Sequence, residues 1–433
     1  MNDADTRTIR IEALTRVEGE GGLHVRLRDN RVEDVRLTIF EPPRLFEAFL
    51  RGRAIEDVPD MVARICGICP VAYQMSGVHA IESALGVRVS PEIRRLRRLL
   101  YCGEWIESHA LHIYLLHAPD FLGFESGIAM ARDWPDEVKR GLRLKKHGNQ
   151  LLEVLGGRAI HPVNVCLGGF YRAPRREELA ALIPDFEWGL QAAIETVRWV
   201  AGFDFPAFER PYTMAALVHP DEYPMNEGQI ADNRGQTIAV ADFERHYAER
   251  QVPHSTALQC LRVADGAPYL LGPLARVNLN LDRLLPAARR LADEVPIAWP
   301  SSNSFHGIVA RGLEVVQAYE EALEILKTYQ PPHPPRAAYE RRSGTGCAAT
   351  EAPRGLLYHR YDFGDDGLLS EIRIVPPTSQ NQAQIEDDLR HWLPHVLDRD
   401  DDAIGASCAH LVRNYDPCIS CSTHFLRLTL ERT

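Results

Sequence analysis

Within residues 8–40, apolar and polar residues alternate: Leu23, Val25 and Leu27, then Val35 and Leu37, each pair separated by one polar neighbour, with Asp29-Asn30 between the two runs. A period of two places one set of side chains on one face of a strand, so this stretch predicts an antiparallel hairpin region. The period then changes. Over 58–86 and again over 93–117, apolar residues recur at three- and four-residue spacing, which gathers them on one face of a helix. Further helices are predicted over roughly 177–200, 281–294, 313–327 and 381–396, while Pro, Gly and Asn break 206–258 into loops and short strands. The predicted fold is mainly α with small β-sheets, an α+β body of long central helices with a sheet toward each end. The proline cluster YQPPHPPRAAY at 329–339 has the composition of a linker. We nevertheless expect a single unit over 1–424, because the candidate metal chemistry joins the two ends of the chain.

Composition narrows the function. With 433 residues, 45% of them apolar, the chain can bury a large core. Its 49 basic and 60 acidic residues give a net charge of −11, and no basic cluster with interleaved aromatics stands out, which excludes a nucleic-acid partner. The N-terminal MNDADTRTIRIEAL lacks the apolar stretch of a secretory signal, and no run approaches the ~20 apolar residues of a membrane span. The expectation is a soluble, cytoplasmic protein with no membrane insertion.

Nine cysteines occur, and only four of them form C-x-x-C pairs: Cys66 and Cys69 in RICGICP, and Cys418 and Cys421 in NYDPCISCSTH. An odd count without a signal argues for reduced thiols, some buried and some holding metal. Four soft thiolates suit zinc, an iron–sulfur cluster, or a nickel or iron centre. Zinc ribbons space their pairs ~15 to 20 residues apart, whereas nearly the whole chain separates these two. Around the pairs lie TRVEGEGG (15–22), RLFEAFLRGR (44–53), EAPRGLLYH (351–359) and IVPPTSQNQ (374–382). An arginine, several carboxylates and Gly-rich turns converging on four thiolates describe a polar active site. His109 and His112 stand one helical turn apart, but nothing nearby adds a third ligand, and we read them as core histidines.

Taken in order, these segments resemble the large, catalytic subunit of nickel-iron hydrogenases over the full length: RICGICP and DPCISCSTH the two cysteine motifs, TRVEG the N-terminal motif, GGRAIHPVNVCLGG (156–169) the middle motif and EAPRG the arginine motif. The resemblance implies reversible heterolytic cleavage of dihydrogen at a Ni-Fe centre. It implies Cys66 and Cys418 as terminal nickel ligands, and Cys69 and Cys421 as bridges to an iron carrying carbon monoxide and two cyanides. Glu18 would take the proton beside Cys418; its plainer alternative is a turn-capping carboxylate. Arg354, with Pro353 beside it, would stand over the open side of the metals, oriented by Asp120 and Asp416, the latter alternatively a turn residue before Pro417. Glu47, His424 and a backbone carbonyl near Arg373 would hold magnesium, or Glu47 would be a solvated helix charge. His161 belongs either to the same inner network or to the ordinary core.

Two positions depart from the family pattern. Tyr73 stands where many relatives carry a histidine bonded to the bridging sulfur, and Pro377 stands where others carry a Ser or Thr bonded to cyanide, with Thr378 as the substitute donor. Residues 425–433, FLRLTLERT, resemble the extension that a maturation protease removes after the histidine; the alternation of Leu426, Leu428 and Leu430 otherwise reads as a strand. The chain has no further C-x-x-C run and no dinucleotide fingerprint in a βαβ context. The resemblance therefore implies an iron–sulfur small subunit and, beyond it, flavin and NAD(P) diaphorase subunits, so that iron–sulfur clusters, flavin and NAD(P) sit in partners. The start of the chain and the VPPTSQNQ segment resemble the cytoplasmic NAD(P)-linked and sulfhydrogenase class. The competing readings are a dihydrogen sensor, a relative of the quinone-site subunit of complex I, which lacks the four cysteines, and a four-cysteine zinc protein.

Overall fold

The structure, a computed structural model, describes residues 6–29, 31–42 and 44–423. His424 and the 425–433 extension, with the expectations attached to them, lie outside the described residues.

Three strands open the chain as an antiparallel sheet in sequence order, β1 (Thr6–Ile11), β2 (Gly21–Arg28) and β3 (Arg31–Ile39). The alternating Leu23, Val25, Leu27, Val35 and Leu37 are all buried, as the period of two predicts. They share an apolar cluster with Ile385, Leu389, Ile404 and Leu411 from the far end of the chain. Apolar side chains of the N-terminal sheet, from Ile9 to Leu37, are thus packed on those between Ile385 and Tyr415.

The body is helical. Helices α1 (Pro70–Leu85), α2 (Pro91–Leu111), α3 (Pro135–Gly156), α4 (Ile183–Val200) and α5 (Gly307–Thr328) bury most of the core, with α2 packed against α3 and α5, and α5 against α4. Proline begins α1, α2 and α3, where its missing N–H costs nothing. Ser90 caps α2 by accepting from the Ile93 N–H at 3.3 Å. A second antiparallel sheet, β4 (Gly344–Ala352), β5 (Gly355–Phe363) and β6 (Leu369–Val375), packs on α1, and α6 (Pro377–Trp392) and α7 (Asp401–Asn414) close the fold. The architecture is mainly α with small antiparallel sheets, as expected. Among the described residues no helix is long and apolar enough to cross a membrane.

Several boundaries differ from the sequence expectation. The helix predicted over 58–86 is interrupted: it runs as Val58–Val62 and resumes at Pro70, with Cys66 extended at φ −139° and ψ 137°. Pro70 disfavours helical backbone at Cys69, so the chain leaves the helix just where both thiols must point together. The helix predicted over 93–117 is α-helical only to Leu111 and continues as a π-turn, His112–His117. The 177–200 stretch divides into Arg176–Ala180 and Ile183–Val200, and the 281–294 stretch becomes a short 3-10 turn followed by Pro286–Glu294, each break falling at a proline. Helices α3 and α7 lie outside the predicted stretches, although Leu144, Leu151 and Leu155, and Ile404, Cys408 and Leu411, recur at helical spacing on their buried faces. The proline-rich 329–339 segment lies along 168–170, with Phe170 N–H donating to Pro335 O at 3.0 Å and Ala337 N–H to Gly168 O at 2.9 Å.

Candidate metal centre

The irregular loop before α1 and the 3-10 turn after α7 bring the two cysteine pairs face to face. Cys66 Sγ lies 3.5 Å from Cys418 Sγ, Cys69 Sγ 3.7 Å from Cys421 Sγ, and Cys418 Sγ 2.9 Å from Cys421 Sγ. All four sulfurs fall within 4.8 Å of one another, and none of the four residues is more than 2% exposed. Burial disfavours the Cys66 thiolate, yet hydrogen bonds with Cys418, Cys421 and Cys69 and the charge of Arg354 hold it well below the ordinary thiol value. Burial, followed by its contacts with the other three sulfurs, pushes Cys418 up. Four soft donors crowded in a water-free pocket are poorly stable as thiols and suit a thiophilic metal.

Glu18 reaches this cluster through the backbone. Its carbonyl accepts from the Ile419 N–H at 2.9 Å, in a parallel bridge between Glu18 and Cys418. Its Oε2 accepts from Cys418 Sγ and from the Ser420 N–H, both at 3.1 Å. Gly19, at φ +88°, permits the approach, because a Cβ there would fall 2.7 Å from the Ile419 Cβ. On another side, Arg354 Nε donates to the Asp416 carbonyl at 2.7 Å and Nη2 to Asp416 Oδ1 at 3.2 Å. Burial opposes its charge, but Asp416 and then Cys418, Cys69 and Cys66 hold the guanidinium firmly protonated. Its Nη1 is buried without a hydrogen bond among the described residues. Thr378 accepts from the Cys418 N–H at 3.0 Å, which places its hydroxyl at the second pair.

Other expected residues stand elsewhere. Asp120 does not bond Arg354 among the described contacts; it pairs with Arg413 through two bonds of 2.6 and 2.7 Å and with Arg16 at 2.6 Å. The π-turn delivers it to the flank of α7, so it reaches the site indirectly, through Arg413, three residues before Asp416, and through Arg16, two residues before Glu18. Glu47, in the helix Phe46–Leu50, accepts from the Ile374 N–H at 2.8 Å, next to Arg373, whose side chain turns away to Glu249 at 3.2 Å. His161 Nδ1 lies 2.7 Å from Ala63 O, bracing the loop that leads to Cys66. His109 lies 3.0 Å from Glu314 and His112 Nε2 2.8 Å from Arg413 O, both as core histidines. Tyr73 is buried beside the thiols; burial first, then Cys421, Cys69 and Cys66, push its phenol well above the ordinary value, so it stays neutral.

Known proteins decide the family. The chain is 34% identical over 424 residues to sulfhydrogenase 1 subunit alpha of Pyrococcus furiosus, covering 97% of this chain and 98% of that one. It belongs to the nickel-dependent hydrogenases, as a large subunit. Residues 44–133 match the sequence pattern of that family, "Nickel-dependent hydrogenase". Sulfhydrogenase 2 subunit alpha of the same organism is 32% identical over 97% of this chain and 100% of its own. An NAD+-reducing NiFe-hydrogenase in its dihydrogen-reduced state superposes with a TM-score of 0.86 at 25% identity, over 98% of this chain and 100% of that one. A NiFeSe-hydrogenase of Dm. baculatum shares the fold, with a TM-score of 0.79 at 21% identity over 97% and 100%. The four thiols of this hydrogenase subunit fit the metal centre that defines the family.

Motif reading missed the arginines around this centre. Arg16 and Arg413 clamp Asp120, and Arg276 and Glu314 form a buried ion pair at 2.7 Å behind the turn that carries Arg354. Arg16 sits inside a motif already singled out, beside Glu18; nothing local marks Arg276.

Proposed function

We propose that this large subunit cleaves dihydrogen reversibly and heterolytically, with Cys66 and Cys418 as terminal nickel ligands and Cys69 and Cys421 shared with an iron that carries carbon monoxide and two cyanides. One observation carries the reading: four buried thiols from opposite ends of the chain meet within 4.8 Å, with a carboxylate 3.1 Å from one of them. The bound metal pair supplies the Lewis acidity and redox capacity that dihydrogen cleavage needs. The protein holds and moves the proton. Glu18 takes it from the Cys418 sulfur and passes it outward. Arg354, fixed by Asp416, keeps Nη1 free to donate to a group bound at the cysteines, and Pro353 beside it and Thr378, which accepts from the Cys418 N–H, would complete that lining.

Glu47, the Arg373 carbonyl and His424 are assigned to a magnesium ion; the position of Glu47 next to the 373–374 backbone supports this. Electrons leave to an iron–sulfur small subunit. Exposed Ile160, Val163 and Tyr171, the first of them beside Gly67 of the cysteine loop, support a docking face there. The likeness to an NAD+-reducing enzyme supports onward transfer through a flavin subunit to NAD(P) in the cytoplasm. We further take 1–424 as one unit and 425–433 as an extension that a maturation protease removes.

The complex purified with its partners tests these assignments together. Nickel and iron in equal amounts, infrared bands in the carbon monoxide and cyanide stretching window, dihydrogen-dependent reduction of NAD+ or NADP+, and an intact mass ending at His424 are expected. Zinc without nickel would overturn the metal assignment. Dihydrogen oxidation without nicotinamide reduction would overturn only the acceptor, and a mass extending to Thr433 only the processing.

A further inference from the structure

Arg354 stands at the tip of the β4–β5 hairpin. The strands close at the Ala352–Gly355 pair and leave Pro353 and Arg354 as a two-residue turn. Hairpin turns usually face water, which satisfies their free carbonyls. This one is buried, with Ala352 1% and Arg354 2% exposed, so its carbonyls need donors from the protein.

One side chain supplies them. Arg276, from the helix Pro273–Asn280 and 0% exposed, donates from Nη1 to Ala352 O at 2.8 Å and from Nη2 to Pro353 O at 2.9 Å. Its other N–H groups go to Glu351 Oε2 at 3.0 Å and, from Nε and Nη2, to Glu314 Oε1 and Oε2, both at 2.7 Å. All the donors of the guanidinium are thereby used. Trp105 stacks 4.6 Å from it and donates its indole N–H to Glu351 O at 3.0 Å, while Tyr223 donates to Glu314 at 2.7 Å. A simple charge pair would need only the two glutamates. The bonds to Ala352 and Pro353 run instead to the two residues that lead into Arg354.

We propose that Arg276 is a positioning residue for the hydrogenase reaction: it splints the buried turn and so fixes the Arg354 guanidinium over the cysteine cluster. The proposal rests on the role given to Arg354 above. A lysine at 276 keeps the charge but cannot span acceptors on both the turn and the carboxylates, because an ammonium lacks the planar fork of the guanidinium. The turn then shifts, and with it the group it carries.

The test uses the holoenzyme with its partner subunit and three variants: Arg276→Lys, Arg354→Lys and the two combined. Arg276→Lys is expected to slow hydrogen–deuterium exchange and kcat by roughly 10- to 100-fold, with nickel content and KM for dihydrogen unchanged. The combined variant is expected to be no slower than Arg354→Lys alone, within about twofold, because both losses pass through one guanidinium. Losses that multiply, or a normal exchange rate in Arg276→Lys, would overturn the proposal. A normal rate in Arg354→Lys would overturn the reading beneath it, which is a separate outcome. Should Arg276→Lys fail to assemble, Trp105→Phe loosens the same guanidinium more gently. Its expected loss is a few-fold, again absent when Arg354 is already lysine, and a loss that persists there would overturn the proposal.

Discussion

Glu18 and Cys418, at opposite ends of the chain, meet in a 3.1 Å hydrogen bond in which the thiol donates to the carboxylate. The backbone bridge between the same two residues sets this contact, so it does not depend on two flexible side chains finding each other. Glu18→Gln keeps an oxygen that accepts from the Ser420 N–H but cannot take up a proton. Hydrogen–deuterium exchange is expected to fall by roughly 10²- to 10⁴-fold, with nickel content and thermal midpoint unchanged. Exchange at the wild-type rate would remove Glu18 from the proton route.

Asp120 neutralises two arginines at once. Arg413 is 3% exposed and Arg16 14%, so Asp120→Asn strands positive charge in a largely water-free place. The expected loss is about 3–5 kcal/mol of stability, read from urea midpoints. Arg413 also donates to the Thr15 carbonyl at 2.9 Å, so the change reaches the N-terminal loop that holds Glu18. A loss below about 1 kcal/mol, the size of an ordinary surface substitution, would show that the clamp does not hold the termini together.

Glu351 sets a pH dependence. Burial pushes its carboxyl up from 4.5 to about 7, while Arg276 and the Leu217 N–H pull the other way. Arg276, Glu314, Tyr101 and Tyr223 are the charged or titratable groups that act on it. A raised carboxyl holds its proton more tightly in the folded chain than in the unfolded one. Its contribution is therefore complete below 4.5 and is lost as pH rises through about 7. Over that window the loss is on the order of 3 kcal/mol, at about 1.4 kcal/mol per unit. Glu314 runs the other way: burial opposes its charge but Arg276 outweighs it and holds the carboxyl at about 2, so its contribution fades only as pH falls from 4.5 toward 2. Urea midpoints measured across the upper window should fall with pH in the wild type and flatten in Glu351→Gln. An unchanged slope in the variant would assign the titration elsewhere.

Gly148 lets α3 approach α2 closely. A Cβ there would lie 2.6 Å from Gly103 O and 2.8 Å from the Glu107 nitrogen, both backbone atoms that cannot step aside. Gly148→Ala gains helix propensity but forces the helices apart, and a net loss of about 1–3 kcal/mol is expected. A more stable variant in thermal unfolding would show that the two helices are free to separate.

Much of this was legible along the chain because it is local. The period-two run of β2 and β3 and the three- and four-residue spacing of α1 and α2 each depend on a few neighbours. The cysteine pairs were legible for the same reason, since their spacing and their softness are properties of short segments. The partners of Asp120 were not, because Arg413 lies 293 residues away and Arg16 104. Arg276 was not, because an arginine in a short helix between prolines and leucines carries no mark of what it will bond.

By itself, then, the sequence settled the inventory: the class of the fold and several of its elements, which donors are soft, and which acids and arginines are at hand. The tertiary structure alone decided the pairings that no motif implied, giving Asp120 to Arg413 and Arg16 and seating Arg276 behind the turn. The physical reason is that a charge or a carbonyl taken out of water must find its partner in the packed core. Which partner lies within reach is set by how helices and sheets from distant stretches stack, and no short stretch of residues contains that information.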